Sequence, residues 1–172
     1  MLRLIGTVCI LGGTLGLGIA WQRQYVSRID SLKGLVLMLQ CFQGEIQYGR
    51  ATLPECCLSV AERVPVYLRQ TLLEVADRVS QEGGEQLDTI FEEKMEKLLP
   101  QLPVTREDLE EAFLFATGKS FADRDQQVAM LYRARQGLQE KIHVLERERE
   151  KRCNLSVALG TLGGMLLLVV LA

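Results

Sequence analysis

Residues 155–172 read LSVALGTLGGMLLLVVLA, a run without one charged side chain. A helix that crosses the hydrocarbon core of a bilayer needs roughly 20 mainly apolar residues, so this run is long enough to span. A matching run lies near the other end, at residues 4–20, LIGTVCILGGTLGLGIA. What lies between is polar enough to fold in water. The sequence therefore predicts an N-terminal transmembrane helix over 1–21, a helical domain over 22–153 and a C-terminal transmembrane helix over 154–172.

The flanking charges orient this arrangement. Arg23, Arg28 and Lys33 follow the first run, and Arg147, Arg149, Lys151 and Arg152 precede the second, whereas the opposite side offers only Arg3. Positive charge beside an apolar run favours retention in the cytoplasm, so both flanks place the domain there. Gly18 and Ala20 would suit a signal-peptidase site. The basic residues that follow at once argue instead for an uncleaved anchor.

The totals exclude more than they assign. A net charge of −2 and a pI of 5.6 give no support to nucleic-acid binding. The five cysteines, Cys9, Cys41, Cys56, Cys57 and Cys153, have no framework spacing, which predicts free thiols in a reducing compartment. His143 is the single histidine and stands far along the chain from the cysteine pair, so no zinc site is expected.

Helical spacing recurs through the middle of the chain, and no segment alternates long enough to predict a strand. Over residues 24–48, Leu32, Leu35, Leu39, Phe42 and Ile46 fall three and four apart and line one helix face. Gly49 ends that helix, since glycine takes the left-handed conformation without steric cost. Thr52 and Glu55 form a capping box for a short second helix, with Pro54 tolerated in its first turn. Pro65 starts a third, which Gly83 and Gly84 break. A fourth carries Leu87, Ile90, Phe91, Met95, Leu98 and Leu99 and is closed by Pro100 and Pro103. Thr105 and Asp108 cap a fifth, running to about Thr117. A sixth starts near Asp125, presents Val128, Leu131, Leu138, Ile142 and Leu145, and is interrupted on that face by Arg135. No breaker separates it from the second apolar run. The fold class is all-α: a cytoplasmic six-helix bundle flanked by two transmembrane helices.

Candidate chemistry is scarce. FLFATGKS at residues 113–120 ends like a phosphate loop, but Phe113 stands where that loop needs its first glycine, and a helix precedes it instead of a strand. The carboxylates Glu92, Glu93 and Glu96, and Glu107, Asp108, Glu110 and Glu111, have the spacing of solvated helix faces, the second group at a helix start that favours negative charge. His143 has no partner in sequence for a nucleophilic triad. No enzyme, metal or cofactor is expected.

Two features point to contacts. Gly12 with Gly16, and Gly160 with Gly164, place small residues one turn apart in each apolar run, which lets transmembrane helices pack closely. Glu45 lies one position off the apolar seam of the first helix, so a buried carboxylate there needs a partner. It is either an internal ion pair with a residue such as Arg50 or a docking contact for another protein. The seam Leu32, Leu35, Leu39 and Phe42 could also pair between chains, which would make a homo-oligomeric scaffold.

EIQYG at residues 45–49, followed by TLPE at 52–55, resembles the first-helix signature of the stage III sporulation protein AB family. ALGTLGG at 158–164 resembles the glycine motif opening that family's C-terminal span, and Gly118 and Asp125 match its middle motif, with Ala122 where a second glycine is expected. The resemblance covers essentially the whole chain. It implies a protein of endospore-forming bacteria, made in the mother cell and placed in the membrane that engulfs the forespore. The family is similar to the platform proteins of type II secretion and type IV pilus machines, whose six-helix cytoplasmic domains contact a hexameric ATPase. The implied partners are stage III sporulation protein AA, as that ATPase, other membrane subunits of the complex and the lipid bilayer. By resemblance and by their cluster at one end of the first helix, Glu45, Tyr48, Arg50 and Glu55 are the expected partner contacts.

Overall fold

Glycine and proline divide the middle of the chain where its sequence predicts. In the computed structural model the helices are α1 (Leu2–Tyr48), α2 (Leu53–Ala61), α3 (Val66–Glu82), α4 (Leu87–Leu98), α5 (Arg106–Phe113) and α6 (Arg124–Leu171). The structure describes the backbone of residues 2–49, 52–82, 87–116 and 124–171, with side chains within 25–49, 52–81, 89–94, 96–116 and 124–151. Among the described residues every regular element is helical. The expected all-α class holds.

The sixth helix runs on as the lack of a breaker allows, and the first is longer than the 24–48 read from its spacing. α1 is one helix of 47 residues, and α6 one of 48, so neither is broken between its apolar run and its polar part. The apolar runs, with Gly12, Gly16, Gly160 and Gly164, lie outside the described side chains. No helix among the described residues is long and apolar enough to cross a membrane. The chain forms two compact units, Met1–Val26 with His143–Ala172, and Ser27–Ile142.

The core of the second unit is built from one stripe per helix. α1 buries Ile29, Leu32, Leu35, Met38, Leu39 and Phe42, α3 buries Leu68, Leu72, Val75, Ala76 and Val79, and α4 buries Ile90, Phe91 and Leu98. Leu32, Leu35, Leu39 and Phe42 are 0% exposed within a single chain. The seam that could have paired two chains is therefore already used inside one.

Four phenylalanines join the elements at the centre. Phe42 of α1 meets Phe115 at 4.9 Å between ring centroids, and Phe91 of α4 meets Phe113 at 5.6 Å and Phe115 at 6.3 Å. α5 ends earlier than expected, at Phe113, and tightens into a 3-10 turn, Leu114–Ala116. That turn buries Phe115 and Ala116 and leaves Leu114 outside. The start of the FLFATGKS segment thus supplies core aromatics, and its GKS end lies outside the described residues.

Two faces differ from the sequence reading. On α6 the buried line is Gln127, Leu131, Ala134, Leu138 and Ile142, so Val128 and Leu145 are only half-buried. The steps of four, three, four and four keep one face inward, and small Ala134 takes the position next to Arg135, whose guanidinium lies 5.3 Å from the ring centroid of Tyr132. On α5, Asp108 is not on a solvated face: it is 1% exposed. Glu93 of the other acidic group is held by Lys97 (2.6 Å) and Arg78, which bring its carboxyl down to about 2.

Gly34 shows how closely α1 and α3 approach. A Cβ there would overlap the Tyr67 hydroxyl and lie 3.2 Å from its ring carbon and 3.3 Å from Pro65 Cγ. Helix propensity alone would favour Gly34→Ala by about 1 kcal/mol. Overpacking against a rigid ring and a proline costs about 1–3 kcal/mol and should win. We expect a lower melting temperature for Gly34→Ala, and recovery when Tyr67 is also changed to Leu.

Candidate docking surface

Of the four expected contact residues, three are described, and they do different jobs. Glu45, in the last turn of α1, is turned onto α2. Its Oε1 accepts from Ser59 Oγ at 2.7 Å and faces Arg63 Nη2 at 3.3 Å, leaving the side chain 20% exposed. The internal ion pair considered for Glu45 thus exists, with Arg63 of the α2–α3 turn as its partner. Arg50 lies outside the described residues.

Glu55 is spent locally as well. Its carboxylate accepts from the Thr52 backbone N–H at 2.7 Å and from the Thr52 hydroxyl at 2.9 Å, completing the expected capping arrangement. Those two bonds, the backbone one first, hold its carboxyl below the usual range. Tyr48 is the side chain left open: it ends α1 and is 83% exposed. α2 turns Glu55 and Leu58 outward, Leu58 being 49% exposed, and Val66 at the start of α3 is 80% exposed.

The backbone under Tyr48 is gripped from α6. Arg124 donates from Nε to the Ile46 carbonyl at 2.5 Å, and from Nη2 to the Gln47 carbonyl at 2.6 Å and the Gly49 carbonyl at 3.0 Å. Nothing in the sequence near Arg124 signals this, since its acceptors are main-chain groups more than seventy residues away.

A second junction ties α1, α5 and α6 through Asp108. The Thr105 N–H donates to its Oδ2 at 3.0 Å, the Asp108 N–H returns a bond to Thr105 Oγ at 3.3 Å, Lys141 Nζ stands 3.0 Å from Oδ1, and Arg28 Nη2 3.4 Å from Oδ2. Burial alone would raise the Asp108 carboxyl, but the Thr105 N–H and the Lys141 ammonium outweigh it and hold it low. Lys141 also reaches Glu111 at 2.8 Å, whose carboxylate rests on Gly137, where any Cβ would collide with it.

The remaining sequence candidates carry no assembled chemistry. His143 is exposed and stands 3.8 Å from Glu146. Cys56 and Cys57 are buried, and burial pushes Cys57 up to about 12, which keeps it a thiol. Among the described residues no group of His, Cys, Asp or Glu is arranged to hold a metal ion.

These features define a class: an all-helical bundle whose first and last helices are cross-tied and continue into uncharged segments. The chain belongs to the stage III sporulation protein AB family, whose family model matches residues 3–172. That membership assigns it a role in stage III of sporulation. No curated protein and no solved structure matched the chain.

Proposed function

We propose that this protein is a non-enzymatic membrane platform subunit of a sporulation-specific, secretion-like complex. Its apolar runs span the mother-cell membrane around the forespore, and the bundle faces the mother-cell cytoplasm. There it docks a hexameric ATPase, stage III sporulation protein AA, and couples it to the channel between mother cell and forespore. The likeness to type II secretion and type IV pilus platforms belongs to this reading.

One observation carries it. α1 and α6 are the two helices that continue into the apolar runs, and they are also the two that Asp108 and Arg124 tie together inside the bundle. A push on the end of α1 is therefore shared with α6 before either helix reaches an apolar run. The exposed Tyr48 stands at that end, and an exposed tyrosine offers a large apolar face with a polar tip, the make-up of a contact residue.

The test is a titration of the purified ATPase onto the full chain in lipid nanodiscs, with and without nucleotide. Tyr48→Ala is expected to weaken binding roughly 30-fold with the helical signal unchanged. Glu45→Ala should weaken it less, because it removes a brace between α1 and α2. Saturable binding that ignores Tyr48→Ala keeps the partner and discards this surface. No binding in any nucleotide state discards the docking role.

A further inference from the structure

We infer that Arg124 is a positioning residue for the partner contact, fixing the docking end of α1 to α6; the inference rests on the docking reading above.

The last carbonyls of a helix have no partner within it. α1 has no basic residue in its last turn to meet them, and the Gly49 N–H bonds the Glu45 carbonyl at 2.8 Å. Arg124 supplies the missing cation from another helix. Its three acceptors, the carbonyls of Ile46, Gln47 and Gly49, bracket Tyr48, so the backbone that presents the exposed ring is held on both sides.

The position of Arg124 in its own helix strengthens the case. It is the first residue of α6, where the helix dipole is positive and an acidic residue is favoured. A residue that breaks a local rule needs a compensating gain elsewhere, and here the gain is at the negative end of α1. A guanidinium is suited to it: its planar fork addresses several carbonyls at once, whereas a lysine ammonium offers a single point of charge. Glu45 braces the same turn from α2 through Ser59 and Arg63. The end of α1 is thus held on two sides, but only the Arg124 side leads to α6.

The experiment uses the full chain in nanodiscs, as wild type, Arg124→Ala, Arg124→Lys and the exposed Arg133→Ala. Two quantities are read: amide exchange along the chain by mass spectrometry, and affinity for the purified ATPase. For Arg124→Ala, exchange in the last turn of α1 should rise roughly tenfold while the segments holding Phe91 and Phe113 stay protected. Affinity for the ATPase should fall roughly tenfold. Arg124→Lys should lie between, and Arg133→Ala should match wild type. Uniformly faster exchange would mean that Arg124 merely stabilises the bundle, and would overturn the inference. So would faster exchange in the last turn of α1 with unchanged affinity. A wild-type chain that binds no ATPase overturns the docking reading itself, a result distinct from both.

Discussion

Asp108→Ala is expected to lower the stability of the helical unit by about 3 kcal/mol and its melting temperature by roughly 10 °C. The side chain is 2% exposed and joins three helices. Removing it abolishes the carboxylate half of the α5 capping box, the bond from the Thr105 N–H, and leaves the Arg28 and Lys141 cations facing each other without their shared anion. Both cations are more than a third exposed, so solvent screens part of that repulsion, and the estimate stays at the low end for a broken buried pair. Asp108→Asn keeps an acceptor for the cap and should lose about half as much.

The same junction sets an acid limit. The Asp108 carboxyl is held below its ordinary value in the folded chain, so the unfolded chain binds the extra proton first. Its contribution is full above the ordinary aspartate range and is lost as pH falls through the lowered value. Lys141 is displaced the other way: burial would lower it, but its bonds to Glu111 and Asp108 raise it. Its contribution is full below the ordinary lysine value and lost as pH rises through the raised one. Denaturant melts across pH should therefore show a broad plateau with an acid fall that Asp108→Asn makes shallower. A fall of the same steepness in the variant would contradict the assignment.

Phe115→Ala should be at least as damaging, at about 3–5 kcal/mol. Phe115 is 0% exposed and touches both Phe42 and Phe91, so its loss opens a cavity between α1, α4 and the 3-10 turn. The close packing of the four rings leaves little room for collapse, which places the cost toward the upper part of the range. Phe115→Leu refills most of the volume and should cost under about 1.5 kcal/mol. Chemical denaturation of the two variants checks this directly. Equal losses would mean that the cluster tolerates a void and that its centre lies elsewhere.

The helical plan was legible because its signals are local. Gly49, Pro65, Pro100 and the Thr52–Glu55 and Thr105–Asp108 boxes act within four residues, and each stands where the helices begin or end. The seam of α1 was legible through its spacing. The long-range polar contacts were not. Asp108 is bonded locally as a cap, and that half is plain in the Thr105–Asp108 spacing, but Arg28 lies 80 positions away and Lys141 33. A capping aspartate on a surface helix and one buried under two cations look alike in sequence. Glu45 beside the apolar seam needs a partner, and Arg63 is brought to it by the fold of α2. On α6, Gln127 and Ala134 lie in the buried line although neither looks apolar enough to mark it. The docking residues divide in the same way. Exposure of Tyr48 depends on where α1 stops, which Gly49 announces, whereas the grip of Arg124 depends on how α6 returns to that end.

The central claim joins membrane anchoring to ATPase docking, and vesicle flotation tests both in one experiment. The full chain is reconstituted into liposomes, mixed with the purified ATPase and spun through a density gradient. The account predicts that the chain floats after alkaline washing and carries the ATPase with it, whereas bare vesicles and vesicles bearing Tyr48→Ala leave the ATPase at the bottom. A chain that washes off, or one that floats while the ATPase stays behind, would contradict it.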